Sequence, residues 1–61
     1  MFEYTKQILT KVSFDSTLFK KELIKAMRVL RNDERRLLKI WCMGTFAAYS
    51  GIVIEVFRKF S

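Results

Sequence analysis

Apolar residues recur at helical intervals along most of this 61-residue chain. Near its start, Val12 follows Ile8 by four residues and Leu9 by three, a spacing that places side chains on one face of an α-helix. The chain has no proline and only two glycines, so few residues interrupt helical structure. These features predict an all-α fold whose first helix covers residues 2–12.

The next stretch contains the most regular apolar stripe in the chain. Its members recur at steps of four, three, one and three residues, in the order Phe19, Leu23, Ala26, Met27 and Leu30. On a helix they form a single face that spans about 100°. The pattern predicts a second helix over residues 16–31. The opposite face of that helix is cationic and carries Lys21, Lys25 and Arg28.

The start of this second helix carries two local signals. Asp15 is placed as the N-cap residue, whose carboxylate accepts hydrogen bonds from the free backbone N–H groups of the first turn. Phe14 precedes the cap and Phe19 follows it at the fourth helical position, which is the spacing of a hydrophobic staple. We therefore expect the helix to begin directly after Asp15, with the two phenylalanine rings in contact.

Residues 32–34 are predicted to separate the second helix from a third. Asn32 readily adopts the left-handed backbone conformation that ends a helix, and Asp33 is placed to cap the helix that follows. A break at this point predicts a third helix over residues 33–48. One continuous helix is the alternative, because the apolar stripe continues in phase to Leu37.

The end of the chain is predicted to form a fourth helix. Gly51 is the expected terminator of the third helix, because glycine adopts the left-handed conformation without a steric penalty. The fourth helix then covers residues 52–60, and its apolar side consists of Ile52, Val53, Val56, Phe57 and Phe60. Three β-branched residues at 52–54 suggest a strand as the alternative, but no second strand is predicted to pair with it.

Residues 40–54 contain no charge, a feature that two structures explain. In the first, this run is the core of a soluble bundle and doubles as an association surface. That surface consists of Trp41, Phe46, Tyr49, Val53 and Phe57. In the second, residues 37–57 span a membrane, and the basic amphipathic helix before them lies on its surface. Lys39 and Glu55 fall inside that span, which favours the soluble interpretation.

Size and composition indicate association. The chain forms at most one domain, residues 1–61, and a domain this small buries too little surface to be very stable alone. One cysteine excludes an internal disulfide, and aromatic residues make up 15% of the chain, more than so small a core hides. We therefore expect a homo-oligomer or a subunit of a larger complex.

Positive charge is concentrated in the middle of the chain. Residues 20–39 contain eight cations and three anions, a net charge of +5, while the whole chain carries +6. An excess of this kind favours anionic partners. The predicted partner face consists of Lys21, Lys25, Arg28, Arg35 and Arg36. An anionic protein is the first candidate partner, and nucleic acid, gripped through its phosphates without sequence readout, is the alternative.

The residue inventory argues against catalysis. The chain has no histidine, which removes imidazole acid–base chemistry and any Ser-His arrangement. Cys42 lies between Trp41 and Met43 and is interpreted as a core thiol. No cofactor or metal is expected, since two isolated glycines form no phosphate loop and structural zinc favours four Cys or His ligands. The chain is therefore predicted not to be an enzyme.

Together these patterns predict a small all-α bundle of three to four short helices, completed by self-association through its apolar C-terminal half. The predicted function is that of a non-enzymatic interaction or adaptor protein that presents a basic helix face to an anionic partner. No secretory signal is visible, so a cytoplasmic location is expected. An inner-membrane-associated location is the alternative and accompanies the membrane-span interpretation.

Overall fold

The computed structural model describes residues 2–60, and over this range the chain forms four α-helices without a strand. They are α1 (Phe2–Lys11), α2 (Ser16–Val29), α3 (Asn32–Thr45) and α4 (Ser50–Lys59), with a short 3₁₀ turn at Ala47–Tyr49. The prediction of a small all-α bundle is confirmed. Residues 52–54 are helical, so the strand alternative is wrong.

The apolar stripes of the four helices meet in one core. Helix α2 packs against α1 and α4, and α4 also packs against α3. All five residues of the predicted α2 stripe are buried, as expected. The described core consists of Leu9, Phe19, Leu23, Ala26, Met27, Leu30, Leu38, Cys42, Val53, Val56 and Phe57. Every helix thus contributes side chains to a single hydrophobic cluster.

The predicted cap of α2 is present. The Oδ1 atom of Asp15 accepts hydrogen bonds from the backbone N–H groups of Thr17 at 2.9 Å and Leu18 at 3.3 Å. These bonds satisfy two of the backbone donors that have no partner within the helix. The helix therefore begins at the residue that the sequence predicts.

The predicted hydrophobic staple is wrong. Phe14 is 79% exposed, whereas Phe19 is fully buried. The ring of Phe19 instead contacts two rings from the C-terminal half of the chain, with centroid distances of 5.1 Å to Phe46 and 4.9 Å to Tyr49. Because tertiary contacts already cover Phe19, Phe14 has no apolar surface to pack against and lies in solvent.

Helices α2 and α3 are separate, which excludes one continuous helix, but the break is built differently from the prediction. Leu30 and Arg31 adopt extended backbone conformations, and no described residue has a positive φ, so Asn32 is not left-handed. Arg31 rather than Asp33 is the N-cap residue, and its N–H donates to the carboxylate of Glu34 at 3.1 Å. The extended backbone lets the side chain of Leu30 reach the core.

The phase of α3 also differs from the expectation. The continuous-helix alternative places Leu37 on the α2 stripe, but Leu37 is 56% exposed, while Leu38 and Cys42 are buried. The two extended residues between α2 and α3 shift the helical phase, so a periodicity read across the break no longer applies. The buried face of α3 is therefore rotated by about one residue from its predicted position.

The junction between α3 and α4 lies earlier than predicted. Helix α3 ends at Thr45 rather than residue 48, because Phe46 leaves the helical conformation with φ −119° and ψ 56°. Its ring packs edge-on against Phe19 and Trp41. Gly51 lies inside α4 with a negative φ, so its predicted role as a terminator is wrong.

This junction decides how the uncharged run is arranged. Over residues 2–60, no single helix combines the length and apolar character needed to cross a membrane. Residues Asn32–Thr45 and Ala47–Lys59 meet those two criteria only as a pair, and the pair is bent by 113°. Helix α4 consequently folds back beside α3.

Two polar contacts connect parts of the chain that are distant in sequence. The phenol of Tyr49 donates a hydrogen bond to the backbone carbonyl of Ser13 at 2.6 Å, which ties the 3₁₀ turn to the α1–α2 loop. Lys20 on α2 pairs with Glu55 on α4, also at 2.6 Å. The two contacts hold the C-terminal half of the chain against the α1–α2 loop and α2, respectively.

We expect Tyr49→Phe to lower the free energy of unfolding by about 1 kcal/mol, because it leaves a partly buried carbonyl without its donor. Thermal unfolding monitored by circular dichroism should then shift down by about 4–8 °C. The matched control is Tyr4→Phe, since Tyr4 is 60% exposed, and it should leave the midpoint nearly unchanged. Equal midpoints for the two variants would refute a stabilising role for the Tyr49 hydroxyl.

Candidate anion-binding groove

A groove between α3 and α4 is lined by a concentration of positive charge. Its volume is about 540 Å³, within the range of ligand-binding clefts. The described lining residues include four cations and no carboxylate. They are Met27, Asn32, Arg35, Arg36, Lys39, Ile54, Phe57 and Arg58.

Helical spacing places these side chains. Arg35 and Lys39 stand four residues apart on α3, so they occupy one row of that helix beside the buried Leu38. Ile54 and Arg58 form the equivalent row on α4. Because α3 packs against α4, the two rows line opposite sides of one groove.

The base of the groove is apolar. Met27 from the end of α2 and Phe57 from α4 are both buried and belong to the core, while Ile54 is 41% exposed at the edge. Low-polarity walls raise the strength of the electric field from nearby charges. The cations of the groove therefore act on a ligand more strongly than the same charges on a convex surface.

Arg35 is the most enclosed of the four cations that line the groove, since the other three are exposed. The residue is half-buried, and its Nε atom lies out of solvent without a hydrogen-bond partner among the described residues. A buried donor without an acceptor carries a desolvation cost. An anionic ligand in the groove would pair with the guanidinium N–H groups that solvent reaches, since this group forms paired hydrogen bonds with carboxylates and phosphates.

The acidic residue of α4 is engaged elsewhere. Glu55 follows Ile54 directly in sequence, but its carboxylate contacts Lys20 on α2. The hydrogen bond from Lys20, together with its positive charge, holds the pKa of Glu55 below its usual value. Glu55 thus remains ionised and paired with α2, and it does not line the groove.

The structure divides the predicted partner face between two places. Arg35 and Arg36 line the α3–α4 groove, whereas Lys21, Lys25 and Arg28 are exposed on α2. Lys25 contacts Glu22 at 3.3 Å and lines a separate cavity of about 260 Å³ between α1 and α2. Only two residues of the predicted set therefore share the groove.

Lys39 and Arg58 belong to the groove but were not among the predicted site residues. The sequence offered one signal for each of them: Lys39 follows Arg35 by four residues, and Arg58 follows Ile54 by four residues. That spacing shows which residues lie in one row of a helix, but it does not show which other helix packs against that row. The position of Arg58 depends on the bend between α3 and α4.

The predicted association surface lies mainly inside the chain. Val53 is fully buried and Phe57 is 9% exposed, so these two residues form core rather than surface. Trp41, Phe46 and Tyr49 are half-buried and pack against the core. The ammonium group of Lys6 also lies 5.6 Å from the centre of the Trp41 ring.

Exposed apolar area on α3 comes from other residues. Leu37 and Ile40, three positions apart, are 56% and 67% exposed. Gly44 follows Ile40 by four residues, and a Cβ built there meets no atom within 4 Å. These three residues, hereafter the α3 outer face, form an apolar strip that is separate from the predicted association surface.

Cys42 has the environment of an inert thiol. It is fully buried in the core, and this burial raises the pKa of its thiol from the ordinary 9.0 to about 12. Thiolate is the nucleophilic form, so little of it exists near neutral pH. Residues 2–60 also contain no cluster of three or more Cys, Asp, Glu or His side chains placed to hold a metal ion.

We expect Cys42 to react with a disulfide reagent at neutral pH only as fast as the protein unfolds. The pKa of the thiol is 9.0 in the unfolded chain and about 12 in the folded chain. Between these pH values the unfolded chain loses the thiol proton and the folded chain keeps it, so the free energy of unfolding falls as the pH rises. The rate at which Cys42 reacts with the disulfide reagent is measured by spectrophotometry, with and without denaturant. Equal rates in both conditions would contradict the buried position of the thiol.

No protein-family model matches the chain, and no significant match was found among curated proteins or among solved structures. We therefore infer a function from the arrangement of the chain's own residues.

Proposed function

We propose that this protein is a non-enzymatic interaction module that holds an anionic partner in the α3–α4 groove. The observation that carries the proposal is the convergence of Arg35, Arg36, Lys39 and Arg58 on one concave surface without a described carboxylate. A cleft lined by one sign of charge attracts ligands of the opposite sign and raises their rate of association.

The repulsion between the cations of the groove opposes the stability of the free chain, which supports a binding role. Like charges four residues apart on a helix, such as Arg35 and Lys39, destabilise it by about 0.2–0.5 kcal/mol. Placing further cations beside them adds repulsion. An anionic ligand removes this repulsion, so the arrangement is favourable in a complex rather than in the free chain.

Charge reversal should locate the binding surface. We expect the double variant Arg36→Glu, Lys39→Glu to bind a fluorescein-labelled polyglutamate peptide at least about tenfold more weakly than the original chain, a loss of about 1.4 kcal/mol. Affinity of the original chain should also fall steeply as salt rises, because exposed charges are screened. Fluorescence anisotropy measures both effects.

The matched control for this experiment is Lys21→Glu, Arg28→Glu, which changes the net charge equally on the exposed face of α2. It should weaken binding by less than about threefold, a change of roughly 0.7 kcal/mol or less. If the α2 variant loses as much affinity as the groove variant, overall charge rather than the groove determines binding. If the original chain does not bind the peptide at low salt, the proposed function fails.

Self-association through the C-terminal half is the second part of the proposed function. The α3 outer face supports it, because adjacent exposed apolar side chains mark association sites. Gly44 leaves space for close approach of a second helix. A small chain also gains stability from the apolar surface that a second copy covers.

Light scattering tests this part. We expect the chain to be a dimer at micromolar concentration, and Ile40→Lys to weaken the dimer by more than about tenfold because it places a charge in the apolar contact. Val29→Lys is the matched control, since Val29 is similarly exposed (58%, against 67% for Ile40) but lies on α2. A folded monomer of the original chain at micromolar concentration would show that the outer face is not an interface.

A further inference from the structure

On the basis of the proposed function, we propose that the anionic partner is an acidic amphipathic helix of another protein. Two carboxylates one turn apart on that helix pair with Arg35 and Lys39, and an apolar side chain in the neighbouring row covers Ile54. The inference names the chemistry of the partner, whereas the proposed function requires only that the partner is anionic.

The spacing of the cations matches a helix. Arg35 and Lys39 are separated by four residues of α3, a rise of about 6 Å. Acidic residues at positions i and i+4 of a partner helix have the same separation. A helix that runs along α3 therefore presents two carboxylates in register with two cations.

The chemistry of Arg35 favours a carboxylate. Its guanidinium is half-buried, and its Nε atom has no acceptor among the described residues. A carboxylate accepts two parallel N–H bonds from an arginine in a fixed planar geometry. One carboxylate at Arg35 thus pairs with the guanidinium N–H groups that solvent reaches and neutralises the most enclosed charge of the groove.

The apolar part of the groove requires an apolar group on the partner. Ile54 stands at the edge of the groove with part of its side chain in water, and the buried Met27 and Phe57 lie beneath it. A ligand that carried only charge would leave this area uncovered. An amphipathic helix places acidic and aliphatic side chains in adjacent rows, which matches the two parts of the groove.

The shape and lining of the groove disfavour two other anionic partners. A bilayer surface is flat, so its head groups contact a convex or planar basic face more readily than the base of a cleft. Single-stranded nucleic acid is held by exposed aromatic rings on which bases stack. The one aromatic residue among the described lining residues is Phe57, which is buried.

Binding of designed helical peptides tests the inference. The probe is a fluorescein-labelled, alanine-based helix with two glutamates four residues apart and leucines in the neighbouring row. Its matched control has the same composition with the glutamates two residues apart, on different faces of the helix. A second control has alanine in place of leucine. The full chain should bind the probe at least about fivefold more tightly than either control.

Two variants of the protein test whether the probe binds in the groove. Lys39→Glu should weaken binding of the probe at least about tenfold. A second probe with lysine in place of one glutamate should restore the affinity of this variant, because the ion pair then forms with the two charges exchanged. Ile54→Ala should weaken the leucine probe but leave the alanine control unchanged. Circular dichroism confirms that each variant is folded before its affinity is measured.

The other anionic partners are included as competitors. If an oligothymidine or a phosphatidylserine vesicle binds more tightly than the helix and is equally sensitive to Lys39→Glu, the inference is overturned while the proposed function survives. If the helix binds without dependence on glutamate spacing or on leucine, the inference is also overturned. If no anionic probe responds to Lys39→Glu, the proposed function itself is wrong.

Discussion

The contact of Phe19 with Phe46 and Tyr49 is the interaction on which the shape of this small protein depends. Phe19 lies on α2, and the other two rings come from residues 46 and 49, directly after the point where α3 ends. Packing the rings of two half-buried side chains against a fully buried one contributes more than one further turn of helix. The chain therefore leaves the helical conformation at Phe46 and turns by 113°.

The groove is a consequence of this turn. Because α4 folds back, the row of Ile54 and Arg58 comes to lie opposite the row of Arg35 and Lys39. A straight continuation of α3 would hold these rows far apart along one axis. The ion pair of Lys20 with Glu55 further directs the acidic residue of α4 toward α2. The groove consequently retains its positive charge.

Local and short-range features of the fold were predictable from the sequence. The stripe of α2 lies within one helix, so its period of 3.6 residues identifies the buried face directly. The cap at Asp15 involves atoms only two and three residues apart. The absence of proline and histidine likewise restricts the fold and the chemistry without reference to packing. These conclusions depend on chain chemistry and local geometry alone.

Only the tertiary structure decided the features that join distant segments. Phe14 lies in solvent because Phe46 and Tyr49 cover Phe19, and no local spacing reveals that competition. Leu37 is exposed because two extended residues change the helical phase before α3. Sequence alone thus determined the presence of four helices, the N-terminal cap of α2 and an excess of positive charge. Tertiary packing decided where the helices turn and which cations share a groove, because it depends on contacts between residues far apart in the chain.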